Sequence, residues 1–317
     1  MAAPSPSRPP PPAELLARMA NAPLEVLGRM PWSSNGTYLV ELADGILDTS
    51  YPAPLDSPGP GGPRPGTDRD GSGSPADDWD SDDWDSDDRD SDDWDDDAVE
   101  DPDEHDGGTG RPSGPGGVGT PGATKAIYKP GRHERPLWDF PSGLYRREAA
   151  AYELGAALGW YVVPPTIVRD GPLGEGSLQL FVDADFAQHY FTLQDEACHQ
   201  LDFQAICALD LVANNTDRKS GHCLLGPDKR IWAIDNGLCF AEEFKLRTVI
   251  WEFAGLDVPA PLLADLVALA ERGLPSIFDD LLDADERRAA HRRLGALVEA
   301  GSFPVDRSGH RYPWPLV

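Results

Sequence analysis

"NNTDRKSGHCLLGPDKRIWAIDNGLCF", residues 214–240, places two aspartates, Asp217 and Asp235, on either side of a short hairpin-like run. Each has its own tight signature, "TDR" and "IDNG", and 18 positions separate them. The apolar runs "HCLL" and "RIWAI" around the turn "GPDK" predict a two-strand ribbon. Upstream, "LQDEACHQLDFQAICALDLVANN" (193–215) carries Leu201, Ala205, Ala208, Leu209 and Val212 on one helical stripe. A helix ending at "ANN" delivers Asp217 onto a loop, and the ribbon then returns the chain to Asp235. Two carboxylates at the ends of one ribbon can face one cleft.

Working outward, "TKAIYKP" (124–130) predicts a strand ended by proline, and residues 142–159 a helix with a serine start and a glycine stop. "WYVVPPTIV" and "GSLQLFVD" are strand-like, and "LEVLGRMPWSSNGTYLVEL" (24–42) reads as strand, turn, strand with a Ser-Ser-Asn-Gly tip. From 241 to about 300 the pattern is mostly helical. Strands come first, around one interpolated helix, and helices follow. That order predicts an α+β fold of two lobes, strand-rich then helical. The expected organisation is a flexible proline-rich terminus (1–22), a first lobe from 23–48 and 123–183, an insertion (49–122), and a helical lobe with both loops (184–317).

Composition narrows the partners. Of a net charge of −28, residues 68–106 supply −19, from 21 acidic and 2 basic side chains. The rest of the chain is a moderately acidic protein of about −9. Such a balance argues against nucleic acid as a partner, since its phosphates demand a basic footprint. The repeat "DDWDSDDWDSDDRDSDDWDD" (77–96) repels itself and has no periodic apolar face, so the insertion is expected to be disordered. It reads as a solvated insertion or as an arm for a basic protein partner. No run is apolar enough to span a bilayer, and no signal-peptide core opens the chain, so a cytoplasmic protein is expected. Four cysteines, Cys198, Cys207, Cys223 and Cys239, lack paired metal-type spacing and are expected to be buried thiols.

Phosphoryl transfer from ATP needs a loop over the phosphates, a lysine held by a carboxylate, an aspartate at the acceptor hydroxyl and a metal-binding aspartate. The chain offers each in that order. Ser33, Ser34, Asn35 and Gly36 form the hairpin tip. Lys129 ends the apolar strand "AIYK", with Glu148 on the next helix as its partner. Asp217 and Asp235 follow. The text "NTDRKSGHCL" and "IDNGLCF", with "IYKP" and "REAAAY" before it, resembles the catalytic core of the phosphatidylinositol 3/4-kinase-like superfamily. It is most similar to type II phosphatidylinositol 4-kinases, and also to an actinobacterial branch that the Ala/Pro/Gly/Arg-rich composition suits. The resemblance covers roughly residues 24–45 and 123–255. It implies a bilobal kinase-like fold with ATP and Mg²⁺ between the lobes. Lys129 would contact the α- and β-phosphates, Glu148 would orient it, Asp217 would serve the acceptor hydroxyl, and Asp235 would hold the metal. The hinge would fall at 179–183.

His222 departs from the family pattern, which has asparagine there as a metal ligand. Imidazole suits Mn²⁺ better than Mg²⁺. A one-metal site, a preference for Mn²⁺, a nucleotide-binding pseudokinase and a purely structural histidine all follow from that change. Lys219 replaces the usual glycine. Lys245 and Arg247, with "GRHERPLWDFP" (131–141), stand where an anionic acceptor would be gripped. The expected activity is ATP-dependent phosphotransfer to a protein, small-molecule or lipid hydroxyl. A regulatory pseudokinase is the alternative, and nucleotidyl transfer on the same fold a third reading.

Overall fold

The computed structural model describes residues 8–31, 35–43 and 123–317. Ser33, Ser34 and the acidic Asp/Trp repeat lie outside the described residues. Five strands form one antiparallel sheet in the order β1-β2-β3-β5-β4. They are β1 (Leu24–Arg29), β2 (Tyr38–Leu42), β3 (Lys125–Pro130), β4 (Thr166–Gly171) and β5 (Gly174–Leu180). Strand residues alternate faces. Ala126 and Tyr128 of β3 therefore enter the sheet's core beside Val40, Leu42, Leu178 and Leu180. Lys129, one position on, falls on the opposite face.

Within the proline-rich segment expected to be flexible, the described residues include a helix. Helix α1 (Ala13–Asn21) buries Leu15 and Met19 in the sheet's core. The Arg169 guanidinium donates to the carbonyls of Met19 and Ala22 at its C-terminal end, at 2.7 and 2.9 Å. Arg8 ion-pairs with Asp202 at 2.7 Å and donates to the carbonyls of Tyr161 and Ile231. An apolar stripe hidden behind a run of prolines is what the composition concealed.

Helix α2 (Leu144–Ala157) lies against β4 and β5 but shares its core with the second half. Its Ala150, Ala151, Tyr152 and Leu154 pack in one cluster with Phe203, Ile206 and Leu209 of α4 (Gln200–Ala213). A buried ion pair from Arg147 to Glu286 fastens it to α7 (Ala284–Ala300). Glu286 also closes the capping box of α7, where its carboxylate accepts from the Asp283 N–H at 3.0 Å. The remaining elements are α3 (Tyr190–Leu193), the ribbon β6 (Cys223–Leu225) and β7 (Ile231–Ala233), α5 (Ala260–Arg272) and α6 (Phe278–Leu281). The architecture is thus α+β, an antiparallel sheet followed by a helical half. Cys207, Cys223 and Cys239 are buried, but Cys198 is exposed, because it sits in the connection before α4 and not within the helix expected from 193. Among the described residues no helix is long and apolar enough to cross a membrane.

Candidate active site

Three elements meet at Lys129. Its ammonium ion-pairs with Glu148 of α2 and, at 2.7 Å, with Oδ1 of Asp235 after β7. Burial alone would lower the lysine's pKa, but the charges of Asp235 and Glu148 override it and hold the ammonium firmly protonated. Lys129 in turn drives the Asp235 carboxyl far below the usual carboxylate range. The second oxygen of Glu148 accepts from the backbone N–H of Asn236 at 3.0 Å, so one buried carboxylate holds both the lysine and the loop after β7. Asp235 itself has φ +57°, a left-handed conformation costly for a residue with a side chain. Strain of that kind is kept where surrounding bonds over-determine it.

Asp217 sits on a loop built around a buried arginine. Arg218 is fully buried and makes a two-bond fork to Asp210 of α4, both bonds 2.9 Å. It also donates to the Ile234 carbonyl at 2.7 Å and to Asn236 Oδ1 at 2.6 Å. A single guanidinium therefore links the helix, the first loop and the second. Asn215 adds to the brace, donating to Asp210 and accepting the Asp217 N–H at 2.9 Å. Asn214 ends α4 with φ +53°, and its amide donates to the carbonyls of Ala241 and Glu243. Within this frame burial raises the Asp217 carboxyl to about 6, while Lys219, 3.2 Å away, pulls in the other direction.

His222 closes the site from the ribbon side. Its Nδ1 lies 2.9 Å from the Asp217 carbonyl and 3.4 Å from the Lys219 N–H. Its Nε2 faces Asp235 Oδ2, 3.4 Å away. Burial lowers the imidazole to about 4 despite the nearby carboxylate, so the ring is neutral at pH 7. A neutral imidazole nitrogen and a carboxylate oxygen converging in this way are two groups that could hold a divalent cation.

The structure thus brings together Lys129, Glu148, Asp217, Asp235 and His222. Of the hairpin tip, only Asn35 and Gly36 are among the described residues. The Gly36 N–H donates to the His133 carbonyl at 3.0 Å, and Asn35 Oδ1 accepts from the Arg135 N–H at 2.9 Å. A Cβ at Gly36 would come within 2.4 Å of the His133 Cβ, so glycine is needed for close packing against the turn after β3. Lys245 is also committed: it donates to the Asp139 carbonyl at 3.1 Å and stands over the Phe140 ring. Arg247 remains exposed. The bracing by Asp210, Asn215 and Asn236 was missed from the sequence, although a carboxylate inside the apolar run "AICALDLVA" demands a partner.

No protein-family model matches the chain. Among solved structures, it is similar to a Golgi casein kinase with Mn/ADP bound, at 16% identity over 61% of this chain and 72% of that one, with a TM-score of 0.38. The Helicobacter pylori proinflammatory kinase CtkA is similar at 12% identity over 56% of this chain and 85% of that one, also with a TM-score of 0.38. At such scores the description of the fold rests on the chain's own geometry. The sequence likeness is stronger: protein Rv2133c of Mycobacterium tuberculosis is 36% identical over 230 residues, spanning 60% of this chain and 81% of that protein. On that likeness, the chain belongs to the family of protein Rv2133c.

Proposed function

We propose that the protein is an ATP-dependent phosphotransferase of the phosphatidylinositol 3/4-kinase-like superfamily, acting on an alcohol. The observation that carries this reading is the convergence of Lys129, Glu148 and Asp235, with Asp217 and His222 on the adjoining loop. The Lys129 ammonium, held by Glu148, is suited to gripping phosphate oxygens. Asp217, a carboxylate with a pKa raised to about 6, is suited to accepting or orienting the proton of an acceptor hydroxyl. Asp235 and His222 would hold the cation, and their N/O donor set fits Mn²⁺ at least as well as Mg²⁺. When bound, that cation supplies charge neutralisation at the phosphates.

Lys129 and Asp235 are engaged with each other, so nucleotide binding should require the cation to take Asp235 from the lysine. Affinity for ATP is therefore expected to rise steeply with Mn²⁺ or Mg²⁺. A second reading, a nucleotide-binding pseudokinase, is favoured by Lys219, whose ion pair with Asp217 occupies the carboxylate an acceptor would need. The deciding experiment measures ATP consumption and binding with each metal, for the native protein and Asp217→Asn, and records product masses. Metal-dependent turnover lost in the variant, with binding intact, supports the phosphotransferase. Saturable binding with no turnover in either protein supports the pseudokinase, and nucleotide transferred whole would identify a nucleotidyltransferase.

A further inference from the structure

The connection between α3 and α4 carries a second set of metal-binding groups, away from the Lys129 site. Residues 193–199 read "LQDEACH", with a carboxylate, a thiol and an imidazole inside four positions. Adjacent residues ordinarily splay around a chain, but the backbone here is coiled into consecutive turns. The Glu196 N–H donates to the Leu193 carbonyl at 2.9 Å, and the His199 N–H to the Glu196 carbonyl at 3.0 Å. Glu196 and His199 are thereby brought to one side. His199 Nε2 lies 3.5 Å from Glu196 Oε2, and Cys198 Sγ lies 3.8 Å from the same oxygen. All three ligand atoms fall within 4.8 Å of one another, and no other group among the described residues does so. The separations of 3.5 and 3.8 Å are close to the edges of a tetrahedron around a cation with bonds of about 2.0–2.3 Å.

His199 gives the group a rigid base. It is buried, packs edge-on against Phe203 at 6.4 Å, and its backbone begins α4. Its Nδ1 is buried without a hydrogen-bond partner, and Nε2 faces only Glu196. Nε2, facing the Glu196 carboxylate, is the nitrogen placed to take a cation. Glu196 and Cys198 are exposed, which leaves a path from solution.

We propose that Glu196, Cys198 and His199 form a binding site for a divalent ion of the Zn²⁺ class, with a fourth position open to water. The mixed N, O and S donors suit Zn²⁺ and exclude the hard cations Mg²⁺ and Ca²⁺. Binding takes Cys198 as the thiolate and releases its proton to solvent. The connection follows α3, which packs on the turn Ser220–His222, so an ion here stiffens the support beneath His222.

The test uses the full chain, stripped with chelator and titrated with Co²⁺. One equivalent should produce a near-ultraviolet thiolate-to-cobalt band, and added Zn²⁺ should displace it. Asp235 and His222 offer no sulfur, and Cys207, Cys223 and Cys239 are buried, so that band reports Cys198 alone. Cys198→Ser, at an exposed position, should keep the native circular dichroism and lose the band. Glu196→Gln should weaken Zn²⁺ competition against a chromophoric chelator by at least about tenfold. Absence of the band in the native protein, its survival in Cys198→Ser, or unchanged Zn²⁺ affinity in Glu196→Gln would each overturn the three-ligand site.

Discussion

Asp217 and His222 share one loop yet are shifted in ways that act oppositely on stability. Burial raises the Asp217 carboxyl to about 6 and lowers the His222 imidazole to about 4. Asp217 takes up a proton on folding between about pH 4 and 6, so its contribution to stability declines as the pH rises through that window. For His222 the unfolded chain binds more protons between about 4 and 6.5, so the fold weakens as the pH falls. In the native protein these slopes partly cancel. Asp217→Asn leaves only the histidine's, and its thermal midpoint should fall more steeply than the native one from pH 6.5 to 4. Parallel curves would contradict a raised carboxyl at 217. The same ionisation sets the rate: turnover should climb through about pH 6 and level off above it. Asn at 217 should lower turnover by about a hundredfold or more.

Between elements, the decisive contact is the Arg218–Asp210 fork, which joins α4 to both loops. Removing one partner of a buried pair leaves the other charge uncompensated. Arg218→Ala should therefore destabilise by about 3–5 kcal/mol, and Arg218→Met with Asp210→Leu by much less. Urea unfolding measures both, and equal losses would mean that the packing of the guanidinium, not its charge, holds the loops. This level also separates what was legible in the sequence from what was not. Lys129, Glu148, Asp217 and Asp235 could be read because strand alternation, one helix and one ribbon place them locally. The helix expected after residue 241 is absent until Ala260 because the intervening backbone bonds to distant partners. Arg247 exchanges backbone bonds with Asn215 and Arg218, Thr248 reaches Arg311, and Gly255 reaches Phe303. Periodicity carries no trace of such long-range pairing. The helix α1 was lost for a different reason, since composition averaged over twenty-two residues outweighed Leu15 and Met19.

Across the whole molecule, the sheet is continuous through the insertion point. The Leu42 N–H donates to the Thr124 carbonyl at 2.9 Å, and Glu41 pairs with Lys125 in register. The chain therefore leaves and re-enters the sheet at one rung, and residues 44–122 close what is otherwise a hairpin between β2 and β3. Loop-closure entropy grows only with the logarithm of length, about 0.6 kcal/mol per doubling. Replacing 44–122 by a five-residue turn removes about four doublings and should stabilise the fold by roughly 2 kcal/mol. The segment also contains most of the −28 net charge, which opposes the approach of an anionic nucleotide. At 10 mM salt, where screening extends to about 30 Å, the shortened protein should show a lower apparent KM for ATP. At 0.15 M the two proteins should converge. Turnover per site should be equal in both, because Lys129, Glu148, Asp217, Asp235 and His222 all lie in the chain that follows the insertion. A shortened protein that folds but has lost turnover would mean that the insertion reaches the site, and one that fails to fold would assign it part of the core.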